Sequence, residues 1–303
     1  MDREKLKEEI LRLKKEKKAV LLVHNYQRPE IQEIADFLGD SLDLSRKAKE
    51  TDADIIVFAG VTFMAETAKI LSPQKKVLTP EPAARCPMAD MINVEDLQEL
   101  KKKHPDAVVV AYVNTNAEVK AAADVCVTSA NAVKVVRALD AKKVIFVPDR
   151  NLASYVSIYV KDKEIIPWDG YCYVHDAFTE EDVFKVKEEY PHAVVIAHPE
   201  CREEVIMNSD YIESTQGMIR LAKLLNAPEY VFFTEEGLTE RAVREMPDRR
   251  FYNPPRTAIC QQMKKITLEK VYESLLYERY EVVLEPEVIE RARRALDKML
   301  ELS

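Results

Sequence analysis

Three apolar runs of this chain end in polar side chains: "AVLLVHNY" at residues 19–26, "AVVVAYVNT" at 107–115 and "AVVIAHPE" at 193–200. A charged amphipathic segment with helical spacing precedes each run: "LKEEILRLKKEK", "VEDLQELKKKHPD" and "EEDVFKVKEEYPH". The first polar residues of the three runs are His24, Tyr112 and His198, and they are 88 and 86 positions apart. We interpret the chain as three copies of one unit.

A hydroxyl follows each strand end after 17 residues, at Ser41, Ser129 and Thr215. Each of these, together with Ser214, is predicted to start a helix, where free backbone N–H groups and the helix dipole favour anions. Taken singly, each is better explained as a cap that satisfies its own helix. Three at one offset favour the binding of carboxylate or phosphate, and therefore a small substrate with several negative groups.

The five cysteines fall into two groups by the same comparison. Cys86, Cys172 and Cys260 stand 60 to 62 residues after the strand ends, whereas Cys126 and Cys201 have no counterparts and are expected to be buried apolar side chains. An odd number without a CxxC pair favours metal binding or core packing over disulfides. Three converging thiolates leave three alternatives open: a [4Fe-4S] cluster with one open iron, a zinc site, or no metal.

Strands that alternate with helices predict an α/β protein of three repeats, each with a parallel sheet and helices on both of its faces. Each copy is expected to run helix, strand, helix, strand, helix and a third short strand or loop. The predicted domains are residues 1–88, 89–174 and 175–266, with the C-terminal helices 267–303 docked on the first. Ligands of such sheets bind beyond the carboxyl ends of the strands, where strand ends, hydroxyls and cysteines should meet.

Further polar side chains stand two residues beyond the strand ends, at Tyr26, Asn114 and Glu200. Histidine and glutamate can move protons, and tyrosine can donate to a developing oxyanion or act as an acid/base. A plain aromatic lid that excludes water is the alternative role for Tyr26.

Composition excludes several classes of protein. The 303 residues carry a net charge of −8, and Lys and Arg are interspersed with Glu, which argues against a nucleic-acid partner. No apolar run is long enough for a membrane helix, and the first 18 residues are charged, unlike a signal peptide. We therefore expect a cytoplasmic protein with neither nucleic-acid nor membrane partners.

Longer segments resemble the quinolinate synthase family: "HNYQRPEIQEIADFLGDSLDLSRKA", "AYVNTNAEVKAAADVCVTSANA", "HPEC", "ESTQGM", "WDGYCYVHDAF" and "CQQMKKIT". The likeness runs from about residue 18 to residue 275 and is highly specific. One departure is that Cys260 stands without the additional nearby cysteines of some members. This removes a redox disulfide and leaves the cluster ligand unchanged.

The resemblance implies condensation of iminoaspartate with dihydroxyacetone phosphate to quinolinate, with release of phosphate and two waters, in NAD biosynthesis. It implies an α/β fold of three Rossmann-like, three-layer domains with parallel sheets in a pseudo-threefold arrangement. It also implies an oxygen-sensitive [4Fe-4S] cluster on Cys86, Cys172 and Cys260, whose open iron acts as a Lewis acid. Catalytic roles fall on Tyr26 as acid/base, His24 and Glu200. Substrate binding falls on His24, Ser41, Tyr112, Asn114, Ser129, His198, Glu200, Ser214 and Thr215.

At the level of the family alone, the resemblance implies functional coupling to an oxidase or dehydrogenase that makes iminoaspartate. Two other classes of function remain as alternatives. A zinc-dependent aldolase or hydrolase on the three cysteines would be colourless and stable to oxygen. A non-enzymatic iron–sulfur sensor would need a partner-binding or DNA-binding element, which this acidic chain does not offer.

Overall fold

A computed structural model describes residues 2–303, and the three repeats form three four-stranded parallel sheets. The elements of the first repeat are α1 (Arg3–Glu16), β1 (Ala19–His24), α2 (Pro29–Gln32), β2 (Phe37–Gly39), α3 (Ser41–Glu50), β3 (Ile55–Ala59), α4 (Thr62–Leu71) and β4 (Lys76–Leu78). Those of the second are α5 (Val94–Lys103), β5 (Val108–Tyr112), α6 (Ala117–Ala121), β6 (Val125–Val127), α7 (Ala132–Ala138), β7 (Lys143–Val147), α8 (Arg150–Tyr159) and β8 (Glu164–Pro167).

The third repeat contains α9 (Glu180–Glu189), β9 (Val194–Ala197), α10 (Glu203–Asn208), β10 (Tyr211–Ile212), α11 (Thr215–Leu225), β11 (Glu229–Phe233), α12 (Glu236–Glu245) and β12 (Arg250–Tyr252), and α13 (Leu268–Tyr277) and α14 (Pro286–Glu301) follow it. The strand orders are β2-β1-β3-β4, β6-β5-β7-β8 and β10-β9-β11-β12, so all three sheets share one topology. The prediction of an α/β fold with parallel sheets is confirmed.

Strand β1 shows why these apolar runs form inner strands. Val20 and Leu22 pack in one apolar cluster with residues of α3, whereas Leu21 and Val23 pack in another with residues of α1. Because side chains alternate between the two faces of a strand, a run that is apolar throughout needs a helix on each face. The amphipathic helices before and after the strand each cover one of its two faces.

Three equivalent aspartates reveal the repeat in atomic detail. Asp36, Asp124 and Asp210 each follow the strand end by 12 residues, and each carboxylate accepts a hydrogen bond from a backbone N–H of the first strand. The bonds to Leu21, Val109 and Val195 are 2.7, 2.8 and 2.8 Å long. A contact repeated at one offset in three sheets supports internal triplication.

The structure adds elements that the sequence pattern did not predict. A short helix and a strand of two or three residues lie between each strand end and the following hydroxyl, as α2 and β2, α6 and β6, and α10 and β10. Each short strand forms one edge of its sheet. Two or three residues carry too little periodicity to be recognised as a strand.

The two C-terminal helices pack in different places. Helix α13 lies against α1 and β3 of the first repeat, whereas α14 packs chiefly on α6 and β6 of the second and also on α4. Helix α14 therefore departs from the expected docking on the first domain. Its buried stripe, Ala292, Ala295, Leu296 and Met299, belongs to the apolar core that the first two repeats share. Among residues 2–303, the helices lack the length and apolar content needed to span a bilayer.

Candidate active site

One cavity is lined by side chains from all three repeats. The strand-end residues His24, Tyr112 and His198 line it, as expected for the carboxyl ends of parallel strands. All three side chains are buried. Strands β1, β5 and β9 therefore present their polar ends to one common space.

The two strand-end histidines are neutral hydrogen-bond donors. Burial lowers the pKa of His24 and of His198 to about 3. Nδ1 of His24 accepts from Tyr26 N–H, and Nδ1 of His198 accepts from Glu200 N–H, both at 3.2 Å. Because a neutral imidazole carries one proton, that proton is on Nε2 in each ring.

Glu200 is the buried carboxylate of the cavity and joins two repeats. One oxygen accepts from the hydroxyl of Tyr112, and the other lies 2.7 Å from Nδ1 of His175. Burial opposes the charge, but His175, His198 and the Tyr112 hydroxyl outweigh it, so the pKa of Glu200 lies below its ordinary value. Glu200 is therefore ionised at neutral pH.

A chain of polar groups continues from Glu200 to Tyr26. Nε2 of His175 lies 2.9 Å from the hydroxyl oxygen of Thr234, which in turn lies 2.7 Å from the Tyr26 hydroxyl. Burial raises the pKa of Tyr26 well above 10, so the phenol is neutral. His175 also stacks on His198, with ring centroids 4.4 Å apart. The sequence left the role of His175 open and did not single out Thr234, although its position directly after an inner strand was an available signal.

Three cysteines reach the cavity from the loops that follow the last strand of each sheet. Cys86, Cys172 and Cys260 line it as free thiols, whereas Cys126 and Cys201 are fully buried, as predicted. Burial raises the pKa of Cys86 to about 12, and the neighbouring Cys260 adds to the effect. Thiols that oppose one another's ionisation need a cationic centre to become thiolates.

The donor set fits a cluster better than a single ion. Three soft thiols from three repeats suit iron–sulfur chemistry, and the described residues offer no fourth cysteine at the cavity. A mixed set also exists, since ligand atoms of Cys172, His175 and Glu200 lie within 4.8 Å of one another. This set leaves out Cys86 and Cys260, and the two nitrogens of His175 face Glu200 at 2.7 Å and Thr234 at 2.9 Å. The residues present therefore fit a three-cysteine cluster.

Three of the four predicted hydroxyls, Ser41, Ser129 and Thr215, line the cavity, but not all of them at helix starts. Ser41 is the first residue of α3, and the cap is Asp40, whose Oδ1 accepts from Leu42 N–H and Asp43 N–H at 3.0 Å. Ser129 also lines the cavity, but the prediction that it opens a helix is wrong. Ser129 lies in the turn at residues 128–131, and α7 begins only after Asn131.

The third repeat contributes the start of α11 to the same cavity. Thr215 lines the cavity as the first residue of α11, and its hydroxyl oxygen accepts from the side-chain amide of Asn25 at 2.8 Å. Ser214 caps this helix and donates to Asp40 at 3.0 Å, so it supports the cavity wall without lining it. Asp40, which lines the cavity, was missed although it directly precedes Ser41.

Asn114 has an unused acceptor. Its side chain lines the cavity, and its Oδ1 is buried without a hydrogen-bond partner among residues 2–303. A buried amide oxygen left unpaired is costly, which favours a bound ligand with an N–H or O–H group at this position.

Comparisons with known proteins agree with this geometry. Residues 8–301 match a protein-family model described as quinolinate synthetase A protein. Proteins named quinolinate synthase are 52% identical in Alkaliphilus metalliredigens, over 97% of both chains, and 54% identical in Pyrococcus furiosus, over 99% of both chains. The protein of the same name from Caldicellulosiruptor saccharolyticus is 52% identical over the full length of both chains. The chain belongs to the quinolinate synthase family.

Proposed function

We propose that this cavity condenses iminoaspartate with dihydroxyacetone phosphate to quinolinate, with release of phosphate and two waters. The observation that carries the proposal is the convergence of three thiols and one continuous polar chain on a single cavity. Full-length similarity to proteins named quinolinate synthase supports the same activity.

Cys86, Cys172 and Cys260 would hold a [4Fe-4S] cluster. When bound, such a cluster supplies one iron without a protein ligand, which acts as a Lewis acid on an oxygen of the substrate. Free thiols and a cluster also fit the reducing cytoplasm, where we place the enzyme.

Substrate anions would be held by neutral donors. Ser41 and Thr215 are the first residues of α3 and α11 and line the cavity, where their hydroxyls can donate to negative groups of the substrate. The Nε2–H groups of His24 and His198 add two donors. Because the pKa of His24 is about 3, we assign it donation to the substrate rather than proton abstraction. Asn114 Oδ1 would accept from the substrate imine or hydroxyl.

Tyr26 would exchange protons with the substrate through a relay of this chain's own residues. The Glu200 carboxylate lies 2.7 Å from Nδ1 of His175 and favours a proton there, which leaves Nε2 to accept from the Thr234 hydroxyl. Thr234 can accept from Tyr26 in turn. A proton that enters at Tyr26 can therefore be stored on His175, where the Glu200 carboxylate stabilises the imidazolium.

Supply of iminoaspartate is part of the proposal. An imine hydrolyses in water, so an oxidase or dehydrogenase that forms it must deliver it quickly to this site. The described residues provide the receiving cavity.

An anaerobic assay tests the function directly. The purified chain, reconstituted with iron and sulfide, should contain about four of each per molecule. It should form quinolinate only when both substrates are supplied, and oxygen exposure should abolish the activity with the loss of iron. Full cluster content without quinolinate would overturn the proposal.

A further inference from the structure

A buried ion pair lies beside the cavity and takes no part in the relay described above. Lys264 Nζ is 2.9 Å from Glu235 Oε1, and the Glu235 side chain is fully buried. Taking two charges out of water costs as much as their attraction returns, so a buried pair is weak evidence for stability alone. The contacts of these two residues show what else the pair does.

The pair connects three segments of the chain. Lys264 Nζ donates to the backbone carbonyl of Tyr26 at 2.8 Å. Glu235 accepts from the backbone N–H of Cys260 at 3.1 Å and from that of Gly237 at 2.8 Å. The two charges therefore join the Tyr26 turn of the first repeat to the Cys260 loop and the start of α12.

Tyr26 is consequently held at both ends. Its phenol contacts Thr234 at 2.7 Å, and its backbone carbonyl accepts a hydrogen bond from Lys264. Lys264 in turn pairs with Glu235, the residue that follows Thr234 in the chain. A tyrosine fixed at both its hydroxyl and its backbone has little freedom to rotate away from the cavity.

The equivalent position in the second repeat shows that helix capping does not require a lysine. Asp149 stands 37 residues after Tyr112, as Glu235 does after His198, and its Oδ1 caps α8 through Asn151 N–H and Leu152 N–H. Its other oxygen has no hydrogen-bond partner among residues 2–303. A lysine pairs with the capping carboxylate in the third repeat, at Glu235, where that lysine also contacts Tyr26.

Gly237 is the residue that permits this approach. A Cβ atom at 237 would lie 3.0 Å from Lys264 Nζ, 3.0 Å from the carbonyl carbon of Tyr26 and 2.9 Å from a Glu235 oxygen. The first of these atoms ends a flexible side chain, but the second is backbone and cannot move freely. The absence of a side chain at position 237 therefore lets Lys264, Glu235 and the Tyr26 backbone approach one another closely.

We propose that Lys264 and Glu235 are positioning residues that fix Tyr26 and the Cys260 loop relative to each other. Neither residue lines the cavity. The kinetic part of this inference rests on the proposed acid/base function of Tyr26, whereas the structural part does not.

Hydrogen–deuterium exchange on the full-length protein, before and after anaerobic cluster reconstitution, tests the structural part. Lys264→Met should speed exchange in the peptides that contain Tyr26 and Cys260 by about tenfold, because local opening becomes easier. Lys265→Met is the matched control, since Lys265 is exposed and donates only to the Ala83 carbonyl. Unchanged exchange in Lys264→Met would overturn the proposal.

A second variant covers the case in which Lys264→Met fails to fold because a buried carboxylate loses its partner. Glu235→Gln combined with Lys264→Met removes both charges and keeps the cavity lining intact. It should show the same faster exchange in the two peptides. Protection equal to that of the parent protein would again overturn the proposal.

Kinetics per loaded cluster test the coupling to Tyr26. Lys264→Met should lower kcat about tenfold or more and leave both KM values within about twofold, because misplacing a catalytic group slows the chemical step. In a Tyr26→Phe background the same substitution should add less than about a further twofold, since it acts through the missing phenol. Fully additive losses would show a general structural role. Normal turnover in Tyr26→Phe would reject the acid/base function, and the exchange data would still decide the positioning pair.

Discussion

The Tyr26 hydroxyl lies 2.7 Å from the hydroxyl oxygen of Thr234, although the two residues belong to the first and third repeats. Through Thr234 this contact connects Tyr26 to His175 and Glu200, so the phenol would be the cavity end of the proposed proton path. It also separates the two roles considered for Tyr26, acid/base and aromatic lid.

Tyr26→Phe removes only the hydroxyl, and the ring still packs. We expect the fold, the cluster and substrate affinity to persist while kcat for quinolinate falls about 10²-fold or more, the size typical of one acid/base group. Anaerobic turnover measurements check this. Near-normal rates in Tyr26→Phe, with activity lost only in Tyr26→Ala, would assign the residue to the lid.

The cluster assignment makes opposite predictions for two groups of cysteines. Cys86→Ser, Cys172→Ser and Cys260→Ser should each lose most iron and sulfide, because serine is a poor ligand for soft iron sites. Cys126→Ala and Cys201→Ala remove thiols that are fully buried away from the cavity lining and should retain the cluster. Visible absorbance and iron analysis after reconstitution distinguish the groups. A full complement of iron in any of the three serine variants would contradict the assignment.

Ser41→Ala and Thr215→Ala should differ in stability but not in their effect on binding. Each removes one hydroxyl from the cavity, so KM for a substrate should rise about tenfold in both, with iron content unchanged. Thr215→Ala also leaves the buried amide of Asn25 without its acceptor and should cost about 1 kcal/mol of unfolding free energy. Equal KM values in parent and variants would show that neither hydroxyl binds a substrate.

Acid should destabilise the cluster-free protein in a defined pH window. The folded-state pKa of His24 and of His198 is about 3, below the ordinary value of 6.5, so between these values the unfolded chain binds more protons. The stabilisation is complete above pH 6.5 and is lost as the pH falls toward 3, with a limiting slope of about 2.7 kcal/mol per pH unit for the two rings.

Urea unfolding between pH 7 and pH 5 measures that slope. His24→Gln should reduce it by about half of the histidine contribution, whereas His192→Gln, at an exposed position, should not change it. Identical slopes for His24→Gln and the parent protein would contradict the neutral, buried state of His24.

The repeat explains which parts of the site were predictable from the sequence. His24, Tyr112, His198 and the three cysteines could be found because equal offsets in three copies single them out. His175 could not, since its counterparts three residues after Cys86 and Cys260 are Ala89 and Met263. Its function depends on contacts with Glu200 and Thr234, which only the packing of the third repeat creates.

Two other differences have local causes. Ser129 shares the spacing of Ser41 and Thr215, but the turn that bonds Asn131 Oδ1 to Thr128 N–H delays the helix by three residues. The position of α14 depends on which apolar surface remains uncovered after the repeats assemble. An amphipathic stripe predicts that a helix packs, and it does not identify the surface on which it packs.

The three thiols stand on loops of three different sheets, so each sheet supplies one donor to a bound cluster. The visible absorbance of the cluster-loaded protein would then report on the folding of all three repeats, because the opening of any one sheet removes one cysteine ligand. Bleaching in a denaturant titration should precede or coincide with the loss of helical signal, and it would identify the least stable of the three repeats when combined with site-specific probes.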